Sequence, residues 1–83
     1  IVSTNYNPIR IYPNPVNDQL FIEGLEKGNT EILLFNMYGQ LVMEQNIISG
    51  GNVKMNISSQ ASGIYKILIT NNERNTTFTL IIE

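Results

Sequence analysis

The sequence predicts an all-β protein, an antiparallel β-sandwich of about seven strands, and three observations carry that expectation. Isoleucine is the commonest residue, and β-branched and aromatic side chains suit a pleated, half-buried surface better than a helix. Apolar residues recur at period two in run after run, the pattern of strands with one face on a core. Clusters of glycine, proline, asparagine and serine separate those runs at the short intervals that sandwiches show.

The longest run is Gly63 to Thr70, which predicts a central strand. Tyr65, Ile67 and Ile69 form its core face, while Ile64, Lys66, Leu68 and Thr70 form a partly wet one, as in an antiparallel sheet with one solvated side. Gly63 opens this strand with a residue that needs no Cβ. From the start of the chain, Ile1 to Pro8 is polar and reads as a linker tail, with Tyr6 its one candidate core contact, so the domain is expected from Ile9 to Glu83. Ile9 to Tyr12 is a short β-like run. Pro13-Asn14-Pro15 then fixes φ twice and removes two backbone donors, so the chain must turn or cross over there. Asn17-Asp18 supplies turn chemistry before Gln19 to Glu23, where Leu20 and Ile22 share a face.

Gly24 and Gly28 bracket an expected loop, after which Ile32 to Phe35 predicts a strand buried on both faces. A helix over Glu31 to Tyr38 is the rival, but Gly39 ends it early and no capping box precedes it. Met37-Tyr38-Gly39-Gln40 predicts a tight turn, with Leu41 to Glu44 as hairpin partner. Ser49-Gly50-Gly51-Asn52 is the clearest turn signal of all. Val53, Met55 and Ile57 then alternate with polar residues as a half-buried strand, and Ser58 to Ser62 loops to Gly63. Asn71 to Asn75 reverses the chain into Thr76 to Ile82, with Phe78, Leu80 and Ile82 on the core. That terminal strand, apolar and uncharged until Glu83, is expected to be an open edge on which a partner could add a strand.

Composition excludes several functions. Cysteine and histidine are both absent, which removes disulfides, zinc fingers, thiol nucleophiles and histidine acids, bases or ligands; no cofactor or metal is expected. Net charge is −2, and the five basic residues are scattered, which argues against nucleic acid. No apolar run approaches the roughly 18 residues of a membrane span. The chain starts at Ile1 without a signal-peptide pattern, so a piece of a longer protein is expected. Charged residues are only 14%, with asparagine, serine and threonine as the solvating residues.

Candidate chemistry is sparse. Asp18, Glu23, Glu26, Glu31, Glu44, Glu73 and Glu83 lie mostly in or beside turns, as solvated surface charge does, so no enzyme is expected. Asn14 to Asp18 offers one carboxylate among amides, a poor calcium loop and an ordinary turn. Gly50-Gly51 lacks the lysine of a phosphate loop, and Asn56-Ile57-Ser58 and Asn75-Thr76-Thr77 match the glycosylation sequon by a pattern common in asparagine-rich chains. Tyr6, Tyr12, Tyr38 and Tyr65 could form a sugar platform, although Tyr65 belongs to the core and there is no tryptophan.

The order and spacing of Tyr12-Pro13-Asn14-Pro15-Val16, Asn36 to Val42, Met55 to Ser58 leading into Ser62-Gly63-Ile64-Tyr65, and the apolar last strand resemble the type A C-terminal sorting domain of type IX secretion in Bacteroidetes. The resemblance runs from Ile9 to Glu83. It implies an immunoglobulin-like sandwich that is itself a secretion signal, directing an N-terminal cargo through the periplasm and across the outer membrane to the outside or the cell surface. It also implies two partners: an outer-membrane translocon, and a surface sortase of the cysteine-peptidase kind that cuts in or before Ile1 to Pro8. Pro13 and Pro15 match the family's paired prolines, Gly39 its turn glycine, and Gly63 and Tyr65 its Gly-x-Tyr signature; Phe78, Leu80 and Ile82 carry the terminal strand. There are three departures. Gln60 and Ala61 replace an apolar residue and a proline, Asn36 and Asn56 stand where aspartate is frequent, and the last strand lacks lysine. The alternatives are a carbohydrate-binding or adhesive immunoglobulin-like module of an extracellular enzyme, and a plain spacer.

Overall fold

A computed structural model describes residues 8–83, with Ser49 described by its backbone alone. The linker reading of Ile1 to Asn7, and the core contact expected of Tyr6, lie outside the described residues. The described chain forms five strands, β1 (Arg10–Tyr12), β2 (Gln19–Phe35), β3 (Leu41–Asn56), β4 (Gly63–Asn71) and β5 (Arg74–Ile82), with no helix among the described residues. The helix weighed over Glu31 to Tyr38 is strand and turn instead.

β2 and β3 are each long enough to serve two layers. The N-terminal half of β2 pairs with β1 and with the C-terminal half of β3, while its C-terminal half pairs with β4 and with the N-terminal half of β3. β5 completes the second layer on the far side of β4. Counting each half as a segment recovers the seven short stretches expected from the sequence. All pairings between named strands are antiparallel.

Two expected turns are corrected here. Gly24 to Gly28 is not a loop, and Ser49 to Asn52 does not reverse the chain; both lie within strands that bend together, with register shifts between Ile22 and Leu25 and between Leu25 and Gly28. Bulges turn a strand from one layer into the next without breaking its ladder. The bend is pinned from β4. Asn71 is fully buried; its Oδ1 accepts from the Glu26 amide at 2.7 Å, and its Nδ2 donates to the Glu26 carbonyl and to Thr30 Oγ1, both at 2.9 Å. Next to it, Asn72 Nδ2 donates to the Lys27 carbonyl, and the Asn72 amide carbon and Oδ1 lie where a Cβ on Gly28 would have to be, 2.1 Å away at the nearest. Only glycine fits that position, at φ 138°.

Between the layers, Leu20, Ile22, Ile32, Leu34, Met55, Ile57, Ile67, Ile69 and Leu80 are all essentially inaccessible. They come from the period-two faces predicted for them, and Leu25, expected in a loop, joins them. Asn72 and Glu73, with φ of 52° and 72°, make the two-residue reversal between β4 and β5, the backbone twist that tight hairpins favour.

Candidate recognition surface

The prolines mark a change of layer. After β1 the chain leaves the first layer through Pro13-Asn14-Pro15, whose two proline peptide bonds are cis, and arrives at Val16 beside β5 of the second. Val16 is buried and bridges Ile82 in parallel, its amide donating to the Ile81 carbonyl and its carbonyl accepting from the Glu83 amide, both at 2.8 Å. The prolines have no N–H to offer, so Asn14 substitutes its side chain: Nδ2 donates to the Thr79 carbonyl at 2.9 Å and Oδ1 accepts from the Ile81 amide at 3.0 Å. The terminal strand is therefore not the open edge expected from sequence. Its backbone from Thr79 to Glu83 is engaged by Asn14 and Val16.

Gly39 lies at the tip of the β2–β3 turn with φ 81°, where an added Cβ would meet open space, so backbone conformation rather than crowding selects glycine. Asn36 organises this turn. Its Oδ1 accepts from the amides of Tyr38 and Gln40 at 2.9 and 3.0 Å, and its Nδ2 donates to Gln40 Oε1 at 2.8 Å. Asn56 Oδ1 accepts from the Ser58 amide at 2.9 Å in the same manner. At both positions the turn requires a short side chain ending in an acceptor oxygen, which asparagine supplies as well as the more frequent aspartate. That accounts for one of the departures. Nothing in the structure explains the lack of lysine in β5.

Gly63 and Tyr65 begin β4 at the same end of the sandwich. Tyr65 is buried, and its hydroxyl donates to the Ala61 carbonyl at 2.7 Å, tying the incoming loop to the core. The residues around these two motifs are exposed and apolar: Met37, Tyr38, Leu41, Ile64 and Ile81 are each at least 42% accessible. A shallow groove of about 460 Å³ runs between the Asn36–Gly39 turn and Ile64, Lys66 and Thr79. The surface is broad, shallow and mostly apolar, as surfaces that contact a protein are.

Of the predicted site residues, the structure brings Gly39, Gly63 and Tyr65 to this end. Pro13 and Pro15 lie exposed beside the terminal strand, Leu80 and Ile82 are core, and Phe78 packs against the core while partly exposed. Sequence reasoning missed the roles of Asn14 and Asn71. The asparagine richness was visible, but their partners across the fold were not.

The tyrosines do not assemble into a platform. Tyr12 belongs to the first layer, stacked on Phe21 with ring centroids 5.5 Å apart, and Tyr38 lies on the turn of the second. The Tyr12 hydroxyl donates to Glu23 Oε2 at 2.5 Å, and Arg10 pairs with Glu23 Oε1 at 2.6 Å. The hydrogen bond from Tyr12 holds Glu23 below the ordinary carboxylate range, and the same bond raises the Tyr12 phenol. No group of three acidic residues gathers to hold a metal ion among the described residues, and no helix among them is long and apolar enough to cross a membrane.

Two bent strands shared between facing layers, a crossover that sends the first strand's continuation alongside the last, and a tyrosine near the start of β4 bonded four residues back define an immunoglobulin-like β-sandwich. A solved structure shares it: an immunoglobulin-like β-sandwich protein of the DUF3244 family from Bacteroides vulgatus aligns with TM-score 0.78 at 20% identity, over 92% of this chain and 85% of that one. The comparison with curated proteins gave no match. The model of the secretion system C-terminal sorting domain matches residues 10–83, and the chain belongs to that family. It is thus a C-terminal secretion signal of the type IX system, whose cargo is secreted or placed on the cell surface.

Proposed function

We propose that the domain, taken as Ile9 to Glu83 behind a linker tail, acts as a shape that the outer-membrane translocon reads at the Gly39 and Gly63 end, and that it has no catalytic activity of its own. The observation that carries this reading is the gathering of Met37, Tyr38, Ile64 and Ile81 as exposed apolar side chains around two of the family motifs. The motif residues divide by role. Gly39 and Gly63 form the surface's outline, Tyr65, Phe78, Leu80 and Ile82 hold its underside, and Pro13 and Pro15 carry the chain onto the last strand. A surface sortase then cuts within or before residues 1–8, separating the cargo from this domain.

The test is a reporter cargo fused to the domain. Deleting residues 78–83 should trap the cargo in the periplasm, but it also removes the core residues Leu80 and Ile82. The double variant Ile64→Thr, Ile81→Thr separates the two effects. Ile64 and Ile81 face each other across β4 and β5, and threonine keeps the strand preference without opposing charges. The sandwich should keep its circular dichroism and unfolding midpoint while surface delivery falls. Normal delivery by a folded double variant would overturn the reading.

A further inference from the structure

Most sheet edges among the described residues are blunted. β1 is three residues long and lies between Pro8 and Pro13. The outer side of β5 is engaged by Asn14 and Val16 from Thr79 onward. The C-terminal half of β3 carries Gly50, Gly51 and the exposed Lys54. The N-terminal half of β3, Leu41 to Ile48, has none of these devices: among the described residues it pairs with β2 on one side only, and it contains no proline, glycine or lysine and a single charge, Glu44. Such an edge is a template for another strand. Ile48 is 84% exposed at its end.

The residues of this edge also complement themselves. Met43, Gln45 and Ile47 lie opposite the core residues Leu34, Ile32 and Thr30 and so share the inner face, while Glu44, Asn46 and Ile48 share the outer one. Antiparallel pairing sets residues of one face opposite each other, so a symmetric pair can centre only on a single residue. Centring on Glu44 opposes two carboxylates, and centring on Asn46 sets Glu44 against Ile48. Centring on Gln45 sets Met43 against Ile47, Glu44 against Asn46 and the Ile48 end beside Val42, with no like charges opposed. We propose that Leu41 to Ile48 pairs antiparallel with the same edge of a second copy about a twofold axis at Gln45, joining two four-stranded layers into one continuous sheet. A twofold contact of this kind closes on itself, so a dimer and not a fibre is the product.

The absence of cysteine makes the test clean. The 83-residue chain should sediment at twice its monomer mass as concentration rises. Single substitutions Glu44→Cys, Gln45→Cys and Asn46→Cys should differ on mild oxidation, with Gln45→Cys cross-linking at least about tenfold faster, because it alone meets its own mate. Gln45→Lys should return the protein to a monomer with unchanged circular dichroism and a concentration-independent unfolding midpoint, equal to that of the natural chain at dilutions where the natural chain is monomeric. A chain that stays monomeric at every concentration, cross-linking equally fast or fastest at another position, or a dimer that survives Gln45→Lys would each overturn the proposal.

Discussion

The two outer edges of the four-stranded layer are opposites. On β5, Asn14 and Val16 supply side-chain and backbone partners to consecutive outward-facing groups from Thr79 to Glu83; on β3, Leu41 to Ile48 has β2 as its only strand partner among the described residues. The difference shows that apolar content does not decide which edge is open. Both edges carry apolar residues, and the terminal strand is covered because the chain crossing from the first layer passes along it.

Substitutions sharpen this contrast in order of size. Leu80→Ala, in the covered strand, removes a fully buried side chain from the centre of the core and should cost about 2–5 kcal/mol in urea unfolding. Asn71→Ala, at the bend that carries β2 from one layer to the other, removes the partners of the Glu26 amide and carbonyl and of Thr30 in a partly buried site and should cost about 1–3 kcal/mol. The two edges themselves are compared by one kind of change. Asn14→Ala should cost about 1–2 kcal/mol for its two hydrogen bonds and speed hydrogen exchange at the Ile81 amide, since Ile81 loses its acceptor. Asn46→Ala on the bare edge should shift stability by less than about 0.5 kcal/mol. Equal effects at the two positions would remove the distinction.

The smallest effect concerns pH and involves neither edge. Glu23 is lowered by its bond from Tyr12, so its contribution is present at neutral pH and lost as pH falls through its depressed value. Tyr12 is raised by the same bond, so its contribution is lost as pH rises through its elevated value. The difference in unfolding midpoint between the natural chain and Glu23→Gln should therefore be flat near neutrality and fade at both extremes. Both groups are solvent-facing, and a large or one-sided change would show that the pair acts otherwise.

Much of the fold was legible because burial imposes period two. Tyr65, Ile67 and Ile69, or Leu80 and Ile82, announce their faces from local order alone. The bends were not legible. Gly24 to Gly28 and Ser49 to Asn52 have the composition of turns, and only their mutual pairing makes them coordinated bulges within long strands; Leu25, an apolar residue in a supposed loop, was the one local hint. Asn14 was equally opaque, since its partners Thr79 and Ile81 are 65 and 67 residues away. The turn at Gly39 was readable because every group it needs, from Asn36 to Gln40, lies within five consecutive residues.

The parallel seam between Val16 and β5 has a consequence for synthesis. Until the segment containing Leu80 and Ile82 has left the ribosome, the early residues have nothing to dock against and the interior stays unsealed. On the reading proposed above, a cargo whose translation stops short would carry an address that never takes form, and only finished products would be exported.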